Sequence, residues 1–249
     1  MQIRDVVVLV GMFCAFGLGA SVLLSCGSDT PDHSSDRQSS SDQLSTAEKF
    51  QMLNATQLRG LHMAMIIYSR NNNGYFPGID SQGNVVEAAL SKRFELLLNG
   101  NFIDPDYLVN PADSGVQQAS GGDAGFVLSK LNHSYAGLDL SQSGARTAAW
   151  SETNDTYQVV LSDRNTGPNA GSGVRSVWTQ APGVWEGTVV RNDGSVRYEQ
   201  THRLDTEYAE YSISTLFGQT ARMPSQRYTI ASDNLFEAVG PHDAWLVHD

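Results

Sequence analysis

The sequence predicts an α+β chain with an N-terminal transmembrane helix, helices early in the remainder and strands late. Three observations carry this. An uncharged apolar run opens the chain, and a helix-spaced apolar stripe with start and stop signals follows it. Near the middle of the second half, Asn192-Asp193-Gly194 lies between β-prone runs, the pattern of a tight hairpin.

The apolar run covers residues 6–25, in which no side chain is charged. A helix of that length is about 30 Å long, which matches the hydrocarbon core of a bilayer. Arg4 precedes it, while Asp29, Asp32 and Asp36 follow. That asymmetry favours a single-pass protein of the inner membrane, its N-terminus cytoplasmic and its bulk in the periplasm or cell exterior. Three fates compete for the segment: a retained span, lipidation at Cys26 and simple cleavage. Leu23-Leu24-Ser25 before Cys26, with Gly27 after it, suits a lipoprotein, whereas Ala20-Ser21-Val22 is a poor site for simple cleavage. The expected division is an anchor or signal at 1–26, a Ser/Asp-rich tether at 27–44 and a head at 45–249. The tether holds too few apolar residues to offset the entropy of ordering it.

The head opens with a helix. Ser45 and Glu48 have capping-box spacing, and Phe50, Leu53, Leu58, Leu61, Met65 and Tyr68 recur largely at three- and four-residue steps. Asn71-Asn72-Asn73-Gly74 ends it, because Asn and Gly tolerate left-handed backbone, and Pro77 opposes continuation. A second helix is predicted over 84–98, stopped by Asn99-Gly100. Residues 114–123 and 165–173 read as loops, and 133–140 and 157–161 as strands. The hairpin joins 185–191 to 195–199. Residues 203–217 suit helix or irregular structure through the spacing of Tyr208 and Tyr211, and 227–249 mixes short strand-like runs with turns.

Several stretches together carry a resemblance: Gln57-Leu58-Arg59-Gly60-Leu61, Tyr68, Asn72-Asn73-Gly74-Tyr75-Phe76-Pro77, Leu108-Val109-Asn110-Pro111-Ala112-Asp113 and Asn192-Asp193-Gly194-Ser195-Val196-Arg197. In this order they resemble the prepilin-type proteins of planctomycete-like bacteria, a group similar to type II secretion pseudopilins. Gly183 departs from the group, which commonly has His there. The resemblance implies a pilin-like head of early helices and an antiparallel sheet. It further implies a non-enzymatic, membrane-anchored envelope protein, with the membrane and other pilin-like subunits as partners. Asp5 would then be the assembly residue, standing where the group has an acidic side chain near the start of the apolar helix. Lipidation at Cys26 implies the alternative, an extracytoplasmic binding module.

Charge and composition bound the chemistry. Asp and Glu number 27 against 16 Lys and Arg, a net charge of −11, so a phosphate backbone would be repelled and nucleic acid is not an expected partner. Only Cys14 and Cys26 are present, so the head has no thiol nucleophile, disulfide or cysteine metal site. No G-x-S-x-G elbow, phosphate loop or HExxH occurs. No catalytic residue, cofactor or metal is therefore assigned. Asp163 and Arg164, after a predicted strand, are the binding candidates, against a plainer reading as a turn in which the two pair. Asp193 fits turn chemistry, and Asp104 and Asp106 flank Pro105 in a turn. His133 and His202 read as packed or solvated, and His242 and His248 as solvated near the chain end. Trp185 and Tyr198 are expected to face each other across the hairpin, with Trp178 nearby.

Overall fold

A computed structural model describes residues 44–142, 144–168, 173–216 and 219–249. The predicted span at 6–25, Asp5, Cys26 and nearly all of the tether lie outside the described residues, and no described helix is long and apolar enough to cross a membrane. The expected α+β layout of a pilin-like head is corrected: the head is sheet-rich. Two antiparallel sheets dominate it, and the α-helices described are α1 (Thr46–Arg70), α2 (Leu90–Asn99) and the single-turn α3 (Ala145–Ala149).

The first sheet has five strands: β1 (Tyr135–Leu138), β2 (Val159–Asp163), β3 (Gly187–Arg191), β4 (Val196–Glu199) and β7 (Leu246–Val247). Their order is β4-β3-β2-β1-β7, each neighbour antiparallel. The second sheet is a long ribbon of β5 (Arg203–Leu216) and β6 (Gln219–Asn234). This ribbon is the largest departure from expectation. On β5, Leu204, Thr206 and Tyr208 face inward, as does His202 just before it, while Arg203 and Asp205 face solvent. Three of these four inward residues are polar or aromatic, so the two-residue period is hidden from a reading based on apolar residues.

Helix α1 starts as predicted. Ser45 Oγ accepts from the Glu48 amide at 3.2 Å, and the Glu48 carboxylate accepts from the Ser45 amide at 2.7 Å. At the other end, Asn73 (φ 50°) and Gly74 (φ 82°) take the left-handed turn. Asn72 Nδ2 then pins the outgoing chain through the carbonyls of Tyr75 and Ile79. The stripe of α1 meets the sheet only from Asn54 onward: Leu58, Leu61 and Met65 are fully buried, each gaining about 1.5–3 kcal/mol from leaving water. Phe50 and Leu53, from the same stripe, remain 37% and 48% exposed. Those first two turns are mostly exposed and meet the sheet through the Gln51–Tyr198 side-chain bond.

The predicted helix over 84–98 is shorter. Its first part is a loop that bridges Val85 to Ile79, and α2 begins only at Leu90. Gly78 holds that loop against the core at φ +95°, where a side chain would meet the stem of Arg93 and the Glu87 carbonyl. Trp150 closes the core beneath it, donating from Nε1 to the Pro77 carbonyl at 2.7 Å and packing edge-on to Phe76.

The β3–β4 hairpin forms at the predicted turn, with Gly194 at φ 79° and the Asp193 carboxylate accepting from the Ser195 amide. Its register pairs Thr188, not Trp185, with Tyr198. Trp185 lies before β3 and packs on Phe236, while Tyr198 meets Trp178 edge-on at 5.8 Å. The expected Trp185–Tyr198 pair is thus replaced by two others, because the strand begins two residues after Trp185.

Candidate functional site

Asp163, the last residue of β2, is buried completely. Its Oδ1 accepts from Asn54 Nδ2 and Asn110 Nδ2, each at 2.9 Å. Its Oδ2 accepts from the Thr188 amide at 2.7 Å, Trp178 Nε1 at 3.0 Å and Asn54 Nδ2 at 3.1 Å. Asn54 also donates to Thr188 Oγ1 and accepts from the Tyr135 hydroxyl. Burial pushes the Asp163 carboxyl pKa up, and the donors around it pull it back. The carboxylate thus bolts α1 to β2, β3 and two loops. Arg164 does not pair with it. Instead Arg164 makes a two-pronged bond to Asp113, Nε to Oδ2 at 2.6 Å and Nη2 to Oδ1 at 2.8 Å. Asp163 is thus fully engaged within the protein, and Arg164 is committed to Asp113 through two of its nitrogens, an arrangement that reads as structural.

The histidines divide. His133 and His248 lie side by side, ring centroids 4.5 Å apart, and each is tied to backbone: His133 Nε2 to the Asp249 carbonyl and His248 Nε2 to the His133 carbonyl. Burial lowers both pKa values, that of His248 to about 4. His202 stacks on Phe236. His242 stacks face to face on Tyr228 at 3.6 Å, near Glu210. Among the described residues no group of His, Cys, Asp and Glu has the arrangement of a metal site. Asp104 and Asp106 sit around a 3-10 turn, residues 105–108, as expected of that Pro-containing stretch.

A site that the sequence reading missed lies where β6 meets the loop after it. Residues 228–234 form one wall of a cleft of about 550 Å³, and the loop 237–243 folds back as the other. Leu235 and Phe236 anchor the return: the Leu235 amide bonds the His202 carbonyl, and Phe236 packs between Trp185 and His202. The loop is clamped by Asp243, whose Oδ2 accepts from the amides of Val239 and Gly240 and whose Oδ1 takes Arg146 Nη1 at 2.5 Å. Both members of that ion pair are buried.

Asp233, 3% exposed, lines the same cleft. Its Oδ2 accepts from Thr206 Oγ1 at 2.5 Å and from the Ala244 amide at 2.7 Å, yet its Oδ1 meets no donor. Burial raises its pKa, and Asp243 adds to the rise while Arg146 opposes it. The remaining wall is Tyr228, Ile230, Val239 and Pro241, with Val239 the most exposed large apolar residue described. Asp233 gives little signal in the sequence, because its partners lie 27 and 11 residues away. Two smaller clefts, of about 440 and 430 Å³, hold cations already committed: Arg227 to Asp155 and Glu207, and Arg164 to Asp113.

No protein-family model, curated protein or solved structure matches the chain.

Proposed function

We propose that the protein is a membrane-anchored, non-enzymatic envelope protein of the pseudopilin-like group, which works by contact with other subunits in a type II secretion or pilus-like assembly. The observation that carries the reading is the exposed beginning of α1. Leu44, just before α1, and Phe50, Met52 and Leu53 in its first turns stand exposed, on the side of the chain that leads back to the apolar run. Helix faces of this kind mark interaction surfaces when they are contiguous. The reading draws nothing from the layout of the head, which is sheet-rich.

A photo-crosslinker placed at Met52 of the full chain in its native membrane tests this. Adducts with a second copy or another pilin-like subunit at position 52, absent from the still more exposed Val127, are the expected result. No adduct at 52 counts against it. Asp5→Ala should reduce co-purification with such subunits, and unchanged assembly would likewise count against the reading.

The β6 cleft favours a second reading, a lipoprotein tethered at Cys26 whose head captures a ligand. Mass spectrometry of the mature N-terminus separates the two: diacylglyceryl-Cys26 as first residue supports the lipoprotein, and an intact Met1 supports the retained span.

A further inference from the structure

We infer that the cleft between β6 and the 237–243 loop is a binding site for an organic cation, an alkylammonium or alkylguanidinium head on an aliphatic stem. The inference concerns the head alone and is independent of how the chain is anchored.

The first support is the orphaned oxygen of Asp233. A buried carboxylate oxygen left without a donor carries a desolvation cost of about 1–3 kcal/mol, more if charged. Every other carboxylate oxygen in the clamp is engaged: Asp243 uses both of its oxygens, and Asp233 Oδ2 has two donors. Asp233 Oδ1 is the carboxylate oxygen in this cleft without one, and His242 Nδ1 is a second unpartnered buried atom of the lining. Arg146 makes no bond to Asp233: its Nη1 is spent on Asp243 and on the Gly240 and Asp243 carbonyls, and its buried Nε and Nη2 meet no acceptor.

The second support is the shape and character of the walls. Tyr228 and His242, both in the lining, stack face to face with planes 2° apart, so one face of each ring is covered and only the outer side of the stack is left for a ligand. Aromatic faces attract cations by about 0.5–2 kcal/mol, more as water is excluded. Ile230, Val239 and Pro241 supply apolar surface for a stem. Asp233 and Glu237 contribute acid to the lining against Arg203, while Asp243 is already balanced by Arg146, which leaves a small acidic excess that favours a cation over an anion. A cleft of about 550 Å³ lies within the range of small-ligand sites and accommodates a five- or six-carbon amine with room for a peptide backbone. The same head chemistry comes from a free polyamine-like molecule or from the Lys or Arg side chain of a peptide.

The test is calorimetric titration of the full-length protein in detergent micelles with cadaverine and agmatine, then with the blocked tripeptide acetyl-Gly-Lys-Gly-amide. 1,5-Pentanediol is the uncharged control and glutarate the anionic one. The expected result is saturable binding of at least one cation, undetectable for the diol and for glutarate. Asp233→Asn should weaken the binding at least tenfold. Tyr228→Leu, on the rim and half-exposed, should weaken it severalfold while leaving the unfolding midpoint near that of the parent. If Asp233→Asn does not fold, the Tyr228→Leu comparison stands alone as the test. Binding of the amines without the tripeptide assigns the site to free cations, and binding of both assigns it to the shared head group. No saturable binding by the parent protein overturns the inference, as does equal binding of the diol, preference for glutarate, or unchanged affinity in the variants.

Discussion

Acidification should destabilise the head through His62. This side chain, on the inner face of α1, is fully buried, and neither ring nitrogen has a hydrogen-bond partner. It stands edge-on to Phe76 at 5.8 Å, and Gly194 of the β3–β4 turn lies over it. Burial lowers its pKa to about 4, with the nearby Asp193 charge pulling weakly the other way. The unfolded chain has an ordinary histidine at about 6.5, so it takes up the proton first. Folded pKa below unfolded pKa means stability is whole above pH 6.5 and falls as pH drops towards 4. At 1.36 kcal/mol per unit, the full loss is about 3 kcal/mol, of which about 2 kcal/mol is gone by pH 5. Against a typical stability of about 5–15 kcal/mol, that is a large fraction. Urea unfolding followed by tryptophan fluorescence at pH 7.4, 6 and 5 measures it. His133 and His248 shift in the same direction, so the diagnostic quantity is the difference between the parent and His62→Leu. His62→Leu should match or exceed the parent at pH 7.4, because it removes two unpartnered polar atoms, and should gain on it by about 2 kcal/mol at pH 5. A parent–variant difference that does not change with pH would refute the reasoning.

Other outcomes follow from the same geometry. Asn54→Ala strips a donor from buried Asp163 and an acceptor from the Tyr135 hydroxyl, and should cost about 2–4 kcal/mol in urea unfolding. Arg146→Met should cost about 3–5 kcal/mol by stranding Asp243 in the interior, and the Arg146→Met/Asp243→Leu double variant should recover part of the loss, read as a double-mutant cycle. Gly78→Ala should lower the melting temperature by several degrees, since it combines a positive φ with a Cβ about 2.6 Å from the Arg93 stem.

Signals local in sequence were legible. The Ser45/Glu48 box, the Asn71–Gly74 stop and the Asn192–Gly194 turn each depend on residues within four positions, and each forms where it was expected. What was hidden depends on distant partners. The inner face of β5 is mostly polar or aromatic, with Thr206 serving Asp233 and the Tyr208 hydroxyl serving the Val159 carbonyl, so hydrophobic patterning misses it and the sheet content with it. The place of Asp163 at a strand end is visible in the sequence, but its role rests on Asn54, 109 residues earlier, and Arg164 pairs with Asp113 in place of its neighbour. Asp233 was invisible for the same reason: a carboxylate on a polar strand declares nothing until Ala244 and Arg146 are folded around it.

The abrupt change along α1 at Asn54 also has a mechanical meaning. Helical residues before it are mostly exposed, held to the sheet by the Gln51–Tyr198 side-chain bond, and Asn54 is the first fully buried α1 side chain. Tension applied to the head from its N-terminal side would therefore pass that exposed contact and load the buried, cross-braced joint of Asn54 with Asp163 and Thr188. The stiffness of that joint, rather than the stability of the head as a whole, would set how much pull the molecule withstands before α1 peels from the sheet.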